Sequence, residues 1–187
     1  MRLILVRHPR PDIAPGLCYG RSDVPVAAGE TERVCQRLLT AGLPRSLPRL
    51  LPIYASPLRR CAGLAHALAA PPAAPTFDVR LAEMDFGDWE LRSWDDIPIG
   101  EVDAWAADLL RYRPGGGECV LDVARRVDAF RRDLLDSGHA AALVICHAGT
   151  MRLLHALHGG RPLHEAALDA ARTPHHIGYG EMLLLQN

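Results

Sequence analysis

The sequence predicts an α/β fold in three layers, a largely parallel central sheet flanked by helices. Two apolar runs carry most of that reading: Leu3, Ile4, Leu5 and Val6 near the start, and residues 141–146 toward the end. Uninterrupted apolar runs of this length, closed by a change of character, mark strands buried on both faces, as in a parallel sheet. Helical segments of about ten residues separate the strand candidates, the alternation that parallel α/β sheets require. The chain's 187 residues are enough for one full core, so a single domain over 1–187 is expected.

In chain order, the first strand runs into Arg7 and His8, and Pro9 stops it. Residues 9–30 form a loop rich in Pro and Gly, whose segment from Cys18 to Asp23 is too specific in composition for a linker. A helix is expected from about Glu30 to Thr40, buried through Val34, Leu38 and Leu39 and ended by Gly42 and Pro44. Residues 50–55 read as the second strand. Ser56 and Pro57 then suit a Ser N-cap followed by Pro at the first helical position, with the helix reaching about Leu68 and stopping in the Pro/Ala stretch 70–75. Residues 77–79 read as a short third strand and 81–89 as a turn dense in Glu, Asp and aromatics. Helices are expected over 100–112 and about 119–136, separated by Pro114 and three glycines. Residues 141–146 lead into His147, and a helix then carries Met151, Leu153, Leu154 and Leu157 until Gly159 and Gly160 stop it. Residues 182–185 form the last strand.

A net charge of −1 gives no global field for nucleic acid or an acidic membrane, so neither is expected as a partner. The chain has no lysine, so arginine must do any anion binding, and its planar fork suits phosphate. The five cysteines are odd in number, widely spaced and free of any CxxC pair, which argues against a disulfide framework and for a reducing compartment. The N-terminus enters the first strand without the features of a signal peptide, and no apolar stretch is long enough to span a bilayer. A cytoplasmic location, as monomer or homodimer, is the expectation.

Two buried-type strands thus end in histidine, His8 and His147, and a third strand–helix junction carries Arg59 and Arg60. Chemistry in open α/β sheets sits at the carboxyl ends of the strands. If the three strands are neighbours, two imidazoles and at least two guanidinium groups meet at one rim, beside helix N-termini that favour phosphate. Histidines set among arginines make a poor metal site. No metal and no cofactor are therefore expected.

Arg7-His8, Ser56-Pro57-Leu58 with Arg60-Cys61, the segment from Glu83 to Glu90, Pro114-Gly115-Gly116 and Cys146-His147-Ala148-Gly149 stand in the order of the histidine phosphatase superfamily, the phosphoglycerate-mutase-like group, which the chain resembles over nearly its whole length. The segment from Glu83 to Glu90 and Cys61 look most like the branch containing α-ribazole phosphatase. The resemblance implies a phosphoglycerate-mutase-like fold with residues about 88–118 as a cap. It also implies a metal-independent phosphomonoesterase acting through a phosphohistidine on a small phosphorylated metabolite, with α-ribazole 5′-phosphate a candidate. In that reading His8 is the nucleophile and Glu83 the general acid and then base. Arg7, Arg60 and His147 hold the phosphoryl oxygens.

Arg21 is a candidate for substrate contact, with pairing to Asp23 equally open. Pro9 stands where the family usually has glycine and removes a backbone N–H at a phosphate site, a loss that Arg10 could offset. Leu91 stands where glycine commonly follows Trp-Glu, and Ala148, where glycine is commoner, could touch substrate. Trp89, Trp94 and Trp105 suit either a pocket for an aromatic substrate group or core packing. A phosphohistidine-protein phosphatase and a phosphoglycerate mutase-like enzyme are the enzymatic alternatives, although mutases of the family are longer. A non-catalytic phospho-ligand binding protein is the alternative from another class, and it has no need for Glu83.

Overall fold

A computed structural model of the chain describes residues 1–41, 43, 51–69, 72–174 and 176–186. Among these residues the central sheet has five strands: β1 Arg2–Arg7, β2 Ile53–Ala55, β3 Thr76–Phe77, β4 Ala141–Cys146 and β5 Met182–Leu185, in the order β3-β2-β4-β1-β5. β1, β2, β3 and β4 pair in parallel, and β5 joins the edge antiparallel to β1. Among the described residues six α-helices accompany them: α1 Glu30–Thr40, α2 Arg59–Leu68, α3 Ile99–Ala107, α4 Val120–Asp136, α5 Ala148–His158 and α6 Leu163–Arg172.

Alternation along the two central strands explains their uninterrupted apolar character. Leu3 and Leu5 of β1, with Ala142, Val144 and Cys146 of β4, face one core against α4, α5 and α6. Ile4 and Val6, with Leu143 and Ile145, face a second core against α1 and α2. Each strand residue therefore meets apolar neighbours whichever way it points. The expected three layers are these two helical faces and the sheet between them. A third, smaller cluster of Cys18, Trp89 and Ile97 lies outside both, packed by Phe86, Val102, Trp105 and Tyr112.

Several boundaries differ from the sequence reading. The second strand begins at Ile53, and the third is only Thr76–Phe77 before the chain turns at Val79. α3 ends at Ala107, and α6 was not anticipated: its buried stripe of Ala166, Ala167 and Ala170 is too small to stand out as an apolar face. Ser56 does not cap α2. Its position lies three residues before the helix, and its hydroxyl bonds His147 instead. The first N–H of α2, from Arg59, is met by the Asp23 carboxylate at 2.7 Å, a charge well suited to a helix N-terminus. Gly42, Pro44, Leu50 and residues 70 and 71 lie outside the described residues. Among the described residues no helix is long and apolar enough to cross a membrane.

Candidate active site

Strand register assembles the site. Arg7 of β1 pairs with Cys146 of β4, and Ala55 of β2 pairs with Ile145, so three strands end side by side. Backbone bonds extend the alignment past the strands: the His8 N–H donates to the Cys146 carbonyl and the Ser56 N–H to the Ile145 carbonyl, both at 3.0 Å. The residues that follow must therefore share one rim. His8 and His147 face each other with ring centroids 5.0 Å apart.

His8 is 2 % exposed, and its Nδ1 lies 2.7 Å from the Pro9 carbonyl oxygen. A carbonyl only accepts, so Nδ1 carries the proton and Nε2 keeps a free lone pair. The proline expected to harm the site thus keeps the group that orients the imidazole, because proline loses its N–H and not its carbonyl. Burial, followed by the charge of Arg60, pushes the His8 pKa down to about 3. His147 is likewise held well below the ordinary histidine value, by burial first and then by His8 and Arg60. Its Nε2 lies 2.9 Å from the Ser56 hydroxyl and 3.5 Å from the Cys61 sulfur.

Arg60 is fully buried. Its Nη1 donates to the Ser22 carbonyl at 2.7 Å and its Nη2 to the Gly20 carbonyl at 2.5 Å, while Nε has no acceptor among the described residues. Arg7 bonds the Ile177 carbonyl and stacks 4.1 Å from the Tyr179 ring centroid, and its Nε is also buried without a partner. No carboxylate among the described residues lies within ion-pair distance of either guanidinium. Buried arginine is normally paired, because an unpaired charge in a low dielectric is expensive. Arg60, the half-buried Arg7 and a neutral imidazole together form a floor suited to an anion.

Glu83 stands at the edge of this floor. Its Oε2 accepts from the Gly149 N–H at 3.0 Å and its Oε1 from the Met84 N–H at 3.1 Å. Glycine at 149 leaves the carboxylate its place, because a Cβ there would sit 2.4 Å from Glu83 Oε1. From the floor a cavity of about 570 Å³ opens, lined by Arg7 and Glu83 and walled by Phe86, Trp94 and Trp105 among others. Among the described residues no group of three or more His, Cys, Asp or Glu side chains is placed to hold a metal ion.

Five positions singled out in the sequence converge at this floor and its edge: Arg7, His8, Arg60, Glu83 and His147. Ala148 lines the cavity. Arg10 does not join them; it is exposed, and its charge acts on Glu30. Arg21 is exposed too, and it lies 3.6 Å from Asp85 rather than pairing with Asp23.

The chain's sequence is matched over residues 3–173 by the pattern of the histidine phosphatase superfamily (branch 1). The chain belongs to this superfamily. It is 31 % identical over 170 residues to the adenosylcobalamin/alpha-ribazole phosphatase of Escherichia coli strain K12, covering 87 % of this chain and 81 % of that protein. The alpha-ribazole phosphatase of Shigella flexneri superposes with a TM-score of 0.79 at 26 % identity, over 100 % of this chain and 90 % of that one. A mycobacterial glucosyl-3-phosphoglycerate phosphatase shares the fold, with a TM-score of 0.74 at 23 % identity over 99 % of this chain and 92 % of that one. The chain is accordingly a phosphatase of the phosphoglycerate-mutase-like α/β fold.

Three supporting residues of this histidine phosphatase were not found from sequence. Tyr19 and Tyr179 join their hydroxyls at 2.8 Å, with the Tyr19 ring beneath Arg60 and the Tyr179 ring beneath Arg7. They come from loops 160 residues apart, and nothing in the sequence connects them. Glu90 accepts from the N–H groups of Gly20, Arg21, Ser22 and Phe86 and from the Ser22 hydroxyl. It thereby fixes the turn whose carbonyls hold Arg60. Burial pushes its pKa up, but these hydrogen bonds outweigh burial and hold it below the usual range. Its place in the acidic segment was the available signal.

Proposed function

We propose that this phosphatase hydrolyses its ester through a phosphohistidine formed on His8, with α-ribazole 5′-phosphate the candidate substrate. The observation that carries the proposal is the floor itself: a buried neutral imidazole with its Nε2 lone pair free, beside two guanidinium groups that lack a carboxylate partner among the described residues. The His8 Nε2 lone pair forms the N–P bond as the bond from phosphorus to the ester oxygen breaks. Arg7, Arg60 and His147 bind the phosphoryl oxygens and stabilise their charge as the bond order shifts. Glu83, protonated at that moment, gives its proton to the leaving oxygen. Its carboxylate then takes a proton from water as that water attacks phosphorus, the N–P bond breaks, and inorganic phosphate leaves with His8 neutral again.

The substrate assignment rests on two relatives named for α-ribazole phosphatase, in Escherichia coli and Shigella flexneri, and on an aromatic cavity of a size suited to a nucleoside-like group. Residues 88–118 serve in this reading as a cap, because Trp94 and Trp105 wall that cavity. Five free cysteines accord with work in the cytoplasm. The test is a rapid-quench single turnover on α-ribazole 5′-phosphate with wild type and His8→Ala. An acid-labile phosphoprotein in wild type that is absent from His8→Ala is the expected result. Hydrolysis by His8→Ala at the wild-type rate would end this mechanism.

A further inference from the structure

Among the described residues, the cavity beyond the phosphate floor holds one charged group that the proposed chemistry does not use. Arg152 follows Gly149 by three residues on α5, close to one helical turn, and lines the cavity together with Glu83. It is half-buried, and its Nη2 donates to the Thr173 carbonyl at 2.6 Å. This is the one hydrogen bond its guanidinium makes among the described residues, although the group offers five N–H donors. No carboxylate among the described residues is within ion-pair distance of it. Burial pushes its pKa down, against the charges of Glu83 and Asp169.

Those walls are flat and aromatic. Trp94 and Trp105 lie nearly parallel, 6° apart in plane with centroids at 6.3 Å, and Phe86 meets both edge-on. Leu109, Val123 and Leu153 complete the apolar side. The Trp105 indole N–H is itself buried without an acceptor among the described residues. A cavity of about 570 Å³ with planar walls and a guanidinium holding spare N–H groups selects by two features together, a flat apolar body and an acceptor carried on it.

We propose that Arg152 is a specificity-determining residue of the leaving-group pocket, receiving a hydrogen-bond acceptor on a planar, largely apolar alcohol whose ring system packs against Trp94, Trp105 and Phe86. The inference deepens the phosphatase reading and rests on it for the position of the scissile bond. An acyclic polyol fills these walls poorly, and a plain hydrocarbon ring leaves Arg152 without its acceptor. Losing one such charge-assisted contact in a desolvated pocket changes selectivity by about tenfold to a hundredfold.

The test uses three phosphomonoesters with alkyl leaving groups of similar basicity: ethyl phosphate, 2-(naphthyl)ethyl phosphate and a set of 2-(quinolinyl)ethyl phosphates that move the ring nitrogen around the same outline. Wild type is expected to prefer naphthyl over ethyl in kcat/KM, and one quinolinyl isomer over naphthyl by about tenfold or more. Arg152→Met should collapse the quinolinyl-to-naphthyl ratio toward one while keeping naphthyl above ethyl. Trp105→Ala should reduce the naphthyl-to-ethyl ratio. A quinolinyl preference that survives Arg152→Met, or a wild type that ranks the three esters equally, overturns the proposal while the phosphatase reading stands.

Tryptophan-fluorescence titration with the phosphate-free quinolinyl and naphthyl alcohols gives a readout independent of turnover. The same preference in binding, lost in Arg152→Met, supports the pocket even if His8 chemistry fails. Equal binding of both alcohols by wild type counts against it.

Discussion

Gly149→Ala tests the geometry of the proposed acid most directly. The added Cβ would stand 2.4 Å from Glu83 Oε1, 3.1 Å from Cδ and 3.2 Å from Oε2. Ordinary contact begins near 3.4 Å, so the carboxylate has to retreat by about 1 Å. Gly149 cannot yield in its place, because it lies in the first turn of α5, directly after β4 and His147. As the carboxylate retreats it also loses the 3.0 Å bond from the Gly149 N–H. A displacement of about 1 Å at a reacting group costs about a hundredfold in rate, or about 2.7 kcal/mol of transition-state stabilisation. The assay is kcat on an alkyl ester and on p-nitrophenyl phosphate. The alkoxide needs a proton to leave and p-nitrophenolate does not, so the loss should be about a hundredfold on the first and much smaller on the second. Glu83→Gln should show the same asymmetry, and the double variant should be little worse than Glu83→Gln alone, since both changes remove one function. Equal losses on both esters, or an alkyl rate within twofold of wild type, would refute the account of Glu83.

Further outcomes follow from the same structure. His8 has a folded pKa of about 3 against an ordinary 6.5, so the unfolded chain binds more protons between these values and stability falls with acid; at pH 5 the loss from His8 is about 2 kcal/mol. Denaturant titrations at pH 7 and pH 5 will show this loss together with that of His147, whose pKa is also held down, while Glu90, held below its usual range, adds to the loss only at lower pH, as the pH falls through its folded pKa. The acid limb of kcat/KM should not come from His8 above about pH 4, which a pH–rate profile in a constant-ionic-strength buffer checks. Leu91 holds φ 64 while 53 % exposed, a left-handed backbone that costs a branched side chain about 1 kcal/mol. Leu91→Gly should therefore raise Tm by roughly 2–4 °C in a thermal melt. Chelator should leave turnover unchanged, since the proposed chemistry runs on side chains alone.

What could be read in the sequence was whatever a single segment encodes. The apolar runs of β1 and β4 declared buried strands because each of their residues meets a core on one face or the other. The residues at their ends, Arg7-His8 and His147, were visible for the same reason, being polar groups where a buried strand stops. Glu83, Arg60 and the order of the motifs then carried the family. α6 was illegible because its buried stripe consists of alanines, and the role of Ser56 was misread because Ser-Pro is a genuine helix-start signal that His147 overrides from 91 residues away.

Tertiary structure alone decided what depends on groups distant in the chain. It showed that Pro9 keeps the contact orienting His8, since the relevant atom is its carbonyl. It gave the two site arginines their supports: Ser22 and Gly20 carbonyls under Glu90 for Arg60, and Ile177 and Tyr179 for Arg7. It placed Arg10 and Arg21 on the exposed surface, Arg21 beside Asp85, and brought Arg152 into the wall of the cavity. The residue types record which chemistry the chain can perform, because that chemistry belongs to individual side chains. Orientation, desolvation and the shape of the leaving-group pocket arise only when loops from both ends of the chain close over one strand rim, and no local pattern encodes that closure.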